Sequence, residues 1–85
     1  MYSVLEVTAM EYPRIRDIRE ARDLTQKELA KILNIAQRTY SGYENGTRNI
    51  PTQIVINLSL YYGVSIDYLL GLTDSKEPYP RNSKG

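Results

Sequence analysis

The chain has 85 residues, 25% of them charged and 41% hydrophobic, with a formal net charge of +1; this fits one small globular domain whose limited core must be packed economically. It contains no cysteine and no histidine, so disulfides and zinc are excluded as staples, and the commonest general base and nucleophile are missing. A charge so near neutral gives only a weak electrostatic reason to expect a nucleic-acid partner.

No apolar run approaches the roughly 18 residues of a membrane span, and the N-terminus carries Glu6 and no basic region, so a cytoplasmic chain with no membrane partner is expected. Residues 1–12 read as a short N-terminal arm. Leu5 and Val7 alternate weakly with Tyr2, Val4 and Glu6. That fits either a short strand able to pair between subunits or an extension without a role. Met10 offers an alternative start site just ahead of the domain.

Pro13 suits the first position of a helix. Ile15, Ile18 and Leu24 then form an apolar stripe, with Arg14, Arg16, Asp17, Glu20 and Arg22 mostly outside. Thr25 and Glu28 stand three apart as a capping box, flanked by Leu24 and Leu29 as a hydrophobic staple, so a second helix starts at Gln26. Within it Leu29, Ile32 and Leu33 are expected to share one buried face, while Lys27, Glu28 and Lys31 face water. Ala30 is small enough to let another helix cross close by.

Asn34 tolerates the left-handed backbone that a sharp stop requires, and Ile35 follows as a buried plug. A third helix from about residue 36 or 37 to Asn45 presents Tyr40 and Tyr43 inward and stops at Gly46. Gln37, Arg38 and Ser41 remain on its outer side. There they are either a solvated face or the donors and acceptors that read base edges when a helix N-terminus enters a major groove.

Thr47 to Ile50 form a link, and Pro51 suits the first position of a fourth helix with Ile54, Leu58, Tyr61 and Tyr62 as core. Val64, Ser65 and Leu69 repeat the staple-and-cap pattern for a short last helix, Ile66 to Leu70, stopped by Gly71. Residues 73–85 are nearly devoid of apolar side chains and read as a flexible tail. With no Phe or Trp in the chain, the eight tyrosines must supply its aromatic core, which leaves little reason to assign them to base stacking.

The spacing of Gln26, Ala30, Asn34, Ile35, Tyr40, Tyr43, Glu44 and Gly46 resembles the signature of the phage-repressor-like (Cro and lambda-repressor, or XRE) helix-turn-helix family. The resemblance runs from about Pro13 to Gly71 and includes LTQKELA, YENG, the link from Arg48 to Pro51, and VSIDYLLG. It implies an all-α, five-helix, lambda-repressor-like domain over residues 13–72. It also implies a structural ion pair between Arg19 and Glu44, tying the first helix to the end of the third. A direct DNA role for Glu44 is not expected, since a carboxylate repels phosphate.

The same resemblance implies a sequence-specific transcriptional regulator, a repressor, docking as a homodimer on a palindromic operator of double-stranded DNA. With no glycine-rich phosphate loop, metal-ligand cluster or nucleophile-base pair in the sequence, no cofactor and no enzymatic activity are expected. Gln37, Arg38 and Ser41 would contact bases, with Arg38 the best match to guanine; Gln26, Lys27, Asn45 and Arg48 would contact phosphates. Two positions depart from the family pattern. Ala36 stands where Ser or Thr usually caps the recognition helix, at a cost of about 0.5 to 2 kcal/mol. Gly42 stands where many members carry a long polar reader, so fewer direct base contacts are expected. Gly42 and the near-neutral charge keep a second reading open: an interaction module or antitoxin-like, partner-binding protein on the same scaffold.

Overall fold

A computed structural model describes residues 12–78. The arm up to residue 11, the strand pairing and start site considered there, and tail residues 79–85 lie outside the described residues. Five helices and no strand are found among those described: α1 (Pro13–Ala21), α2 (Gln26–Leu33), α3 (Gln37–Asn45), α4 (Thr52–Tyr62) and α5 (Ile66–Leu69).

Local chemistry sets most of the boundaries. Pro13 opens α1 at a position where its missing N–H is no loss. The capping box of α2 is complete: the Thr25 hydroxyl accepts from the Glu28 amide at 3.0 Å, and Glu28 Oε1 accepts from the Thr25 amide at 2.8 Å. Asn34 ends α2 with φ 60° and ψ 45°, the left-handed region that Asn enters at little cost. Asp23 takes a similar conformation, φ 57°, between α1 and α2. Ser65 caps α5 by accepting from the Tyr68 amide at 2.9 Å.

One core joins all five helices through Ile15, Ile18, Leu29, Tyr40, Tyr43, Ile54, Leu58, Tyr62 and Leu69. Helix α3 packs on α2 and α1, and α5 on α4 and α1. Arg22 is exposed, as expected of the outer side of α1, whereas Arg14 is half-buried, and both act as clasps. Arg14 donates to the carbonyls of Tyr68 (3.3 Å) and Thr73 (2.8 Å), and Arg22 to that of Tyr62 (2.9 Å). Each guanidinium also lies over the ring of the tyrosine whose carbonyl it binds. The Tyr62 carbonyl belongs to the last turn of α4, where a cation meets the negative end of the helix dipole.

Further details differ from the sequence reading, and Pro51 is the N-cap of α4 and not its first residue. Ile32 is 45% exposed rather than buried beside Leu29, Leu33 is only half-buried, and Tyr61 is 45% exposed rather than core. Ile32 and Tyr61 sit at the margin of a helical stripe. The chain also does not leave the domain at Leu72: the Ser65 amide donates to the Lys76 carbonyl at 3.0 Å, and Arg14 holds Thr73. The start of the expected tail is thus tied down, because the exposed backbone polar groups there find partners on α1 and at the cap of α5.

Candidate nucleic-acid interface

The turn after α2 fixes how α3 is presented. The Asn34 amide donates to the Lys31 carbonyl (3.1 Å) and the Ile35 amide to that of Ala30 (3.0 Å), which closes the end of α2 and redirects the chain at once. Ala36 then adopts the extended conformation of an N-cap but makes no side-chain hydrogen bond. The first amides of α3 therefore lack a side-chain acceptor. Gln37 and Arg38 are exposed and Ser41 half-buried. Together with Gln26 and Ala36 they line one open concavity at the junction of α2 and α3.

Beneath this edge, Glu44 is the hub of a buried polar network. Its side chain is wholly buried. Arg19 reaches it with a two-pronged contact, Nε to Oε2 at 2.6 Å and Nη2 to Oε1 at 3.2 Å, the bidentate geometry in which a guanidinium binds a carboxylate best. Tyr40 Oη donates to Oε2, Gln26 Nε2 donates to Oε1 at 3.0 Å, and Arg16 Nε lies 3.5 Å from Oε1.

Burial pushes the Glu44 carboxyl up, but the bonds from Arg19, Tyr40 and Gln26 outweigh it and hold the group below the usual carboxylate range. The Tyr40 phenol is driven well above its ordinary value by burial and by its bond to Glu44. A negative charge in the last turn of α3 is thereby neutralised inside the protein.

The cations divide sharply. Among the described residues, Arg14, Arg16, Arg19, Arg22 and Lys76 are held by carboxylates, carbonyls or aromatic rings of the protein. Lys27, Lys31, Arg38 and Arg48 are exposed, and none of these four belongs to an ion pair among the described residues. All four lie on α2, α3 or the link that follows. Glu28, the one exposed carboxylate among them, is occupied by the capping box, whose hydrogen bonds keep it below its ordinary pKa. The net charge near zero therefore conceals a positive edge beside α3.

Two of the expected phosphate contacts are already engaged within the protein. The Gln26 amide nitrogen is committed to Glu44, which leaves the backbone N–H groups of Gln26 and Lys27, at the open end of α2, as the free donors there. The Asn45 carboxamide oxygen accepts from the Thr47 amide (3.0 Å) and hydroxyl (2.7 Å), so only its NH2 group faces outward.

Gly42 is buried although it sits on the outer half of α3, because the link folds over it. The Arg48 amide donates to the Gly42 carbonyl at 3.1 Å, and a Cβ on Gly42 would come within 2.8 Å of Arg48 Cδ and 2.9 Å of Cγ. Sequence reasoning missed this contact, and five intervening residues with no periodic relation gave no signal for it. The bonds from Tyr40 and Gln26 to Glu44 were also missed. Tyr40 and Glu44 stand four apart on one helix, a spacing that brings side chains together, so that bond was available to be read.

Residues 15–69, most of the chain, match the helix-turn-helix family, and the chain belongs to it. It is 42% identical over 65 residues to the uncharacterized HTH-type transcriptional regulator YobD of Bacillus subtilis, covering 76% of this chain and 58% of that protein. It is 40% identical over 57 residues to the cryptic phage CTXphi transcriptional repressor RstR of Vibrio cholerae, covering 67% of this chain and 51% of the relative. It is also 35% identical over 57 residues to the antitoxin PezA of Streptococcus pneumoniae, covering 67% of this chain and 36% of that protein. The chain spans about half the length of the curated relatives it matches first. No helix among the described residues is long and apolar enough to cross a membrane.

Proposed function

We propose that the chain binds double-stranded DNA sequence-specifically as a transcriptional repressor, entering the major groove with the first turns of α3. The observation that carries this reading is the segregation of exposed, unpaired cations onto α2, α3 and the following link while the other described cations are held within the fold. Phosphates supply most of the attraction in such complexes. The names of YobD and RstR point the same way.

Gln37, Arg38 and Ser41 read base edges, with the Arg38 fork matched to the O6 and N7 acceptors of guanine. Lys27, the open amides at the start of α2 and the Asn45 NH2 group hold the backbone and set the register. Gln26 positions this edge through Glu44 and meets phosphate with its main-chain N–H. One such module buries too little surface for tight specific binding, so two copies dock as a homodimer on a palindrome, with half-sites about one helical turn apart.

Selection from a random DNA pool tests this reading: the enriched sequences should share a two-fold symmetric motif, and an unenriched pool would refute it. The name of PezA and the net charge of +1 favour a second reading, an antitoxin-like module that binds a protein partner. Retention on a DNA column that weakens steeply with salt separates the two, because a module without phosphate contacts shows little of it.

A further inference from the structure

The helical repeat places Gln37, Ser41, Arg38 and Gly42 within an arc of roughly 140° on α3, so the position of Gly42 belongs to the same face as the base-reading residues. Glycine offers no side chain there. The space is filled from elsewhere: Arg48 crosses it, with its Cγ and Cδ lying where a Cβ on residue 42 would come within 2.9 Å and 2.8 Å of them.

Two features hold the arginine in this seat. Its amide donates to the Gly42 carbonyl at 3.1 Å. The link behind it is fastened by Asn45, whose side-chain oxygen accepts both the amide and the hydroxyl of Thr47. Beyond the seated stem, Arg48 is an exposed residue that belongs to no ion pair among the described residues. All five donors of the fork are therefore available to a ligand. Since residues 38 and 42 are one helical turn apart, the stem leaves α3 about 6 Å further along its axis than Arg38 does. That exceeds the roughly 3.4 Å between successive base pairs.

We infer that Arg48 is a specificity-determining residue: it reads a guanine in the major groove from the place that the missing side chain of Gly42 leaves open beside Arg38. This rests on the DNA-reading function proposed above and replaces the phosphate contact expected for Arg48 from its place in the link. Gly42 then does not reduce the number of bases read; its lack of a Cβ lets a residue from outside the helix take over the reading. The pairing is selective because a guanidinium matches guanine O6 and N7 with two parallel bonds, whereas an ammonium is a point charge that satisfies a phosphate equally well.

The test uses the full chain, the sequence it selects from a random pool, and the set of single-base-pair variants of that sequence. Arg48→Lys is expected to lose discrimination at one base pair per half-site, about ten- to hundredfold, while binding to random DNA and its salt dependence stay close to wild type. Gly42→Ala, which drives a Cβ into the Arg48 stem, is expected to lose discrimination at the same base pair and to add nothing in the Arg48→Lys background; circular dichroism checks that both variants remain folded. Retention of every base preference by Arg48→Lys overturns the inference alone. So does an Arg48→Ala variant that weakens selected and random DNA equally and flattens the salt dependence by about 0.9, the behaviour of a phosphate contact. A wild-type chain that selects no sequence at all overturns the DNA reading, and this inference with it.

Discussion

Arg19 and Glu44 face each other beneath α3 in a two-pronged ion pair, Nε to Oε2 at 2.6 Å and Nη2 to Oε1 at 3.2 Å. Arg19 is 8% exposed and Glu44 2%. A third donor nitrogen of Arg19, Nη1, binds the Leu24 carbonyl at 2.6 Å. The pair therefore joins α1, the entry to α2 and the last turn of α3, and it sets the angle at which the exposed edge of α3 is held.

Removing one partner leaves a buried charge without compensation, which is far costlier than the net contribution of the intact pair. Glu44→Ala is expected to lower stability by about 3 to 5 kcal/mol, and Arg19→Ala to do the same within that range. The double variant should lose much less than the sum, because it strands no charge. Urea unfolding of all three measures this; unchanged midpoints in both single variants would show the pair to be superficial.

The same carboxylate makes stability depend on acid. Glu44 is held below its ordinary pKa in the folded protein, so its stabilisation is fully present above the unfolded-state value of about 4.3 and is lost as pH falls through the lower folded value. Unfolding monitored from pH 7 downward should show a steep loss beginning below about pH 4.5. Glu44→Gln, less stable at neutral pH, should show a shallower slope in that window. Equal slopes would assign the acid transition to other carboxylates.

Two buried tyrosines should respond oppositely to losing their hydroxyls. Tyr62 Oη is buried without a hydrogen-bond partner among the described residues, and burial pushes its phenol up to about 12. Tyr62→Phe removes an unsatisfied polar atom and should leave stability unchanged or raise it by about 1 kcal/mol. Tyr40 donates to Glu44, and Tyr40→Phe should cost about 1.5 to 3 kcal/mol, the range for a bond to a charged group. Thermal unfolding of the two variants compares them directly.

Ala36 already has the backbone of an N-cap, φ −67° and ψ 145°, but lacks the side chain to use it. Ala36→Ser should therefore stabilise the fold by about 0.5 to 2 kcal/mol, read as a rise in the urea midpoint with an unchanged slope. A lower midpoint would mean that the first amides of α3 are better left open.

The helices were legible because their ends carry local chemistry: the Thr25 and Glu28 capping box, Asn34 as a left-handed stop, Ser65 as a cap. Arg19 and Glu44 could be paired only through the family signature, since nothing local connects positions 25 residues apart. What escaped sequence reasoning depends on how the elements pack. Ile32 and Tyr61 lie at stripe margins where only the neighbouring helix decides exposure. Arg14 and Arg22 look like solvent-facing charges until the carbonyls of Tyr68, Thr73 and Tyr62 are seen to converge on them. The seat of Arg48 on Gly42 arises from a link whose path no periodicity encodes.

The central claim, that α3 reads DNA sequence from its outer edge, rests most directly on Arg38. It is exposed at the second position of α3 and belongs to no ion pair of the described residues. The deciding measurement is a binding titration of wild type and Arg38→Ala on the selected sequence and on random DNA, repeated over several salt concentrations. Loss of about 1 to 3 kcal/mol on the selected sequence, with much less on random DNA and an unchanged salt slope, is the predicted result. Equal losses on both DNAs, or no loss on either, would contradict it.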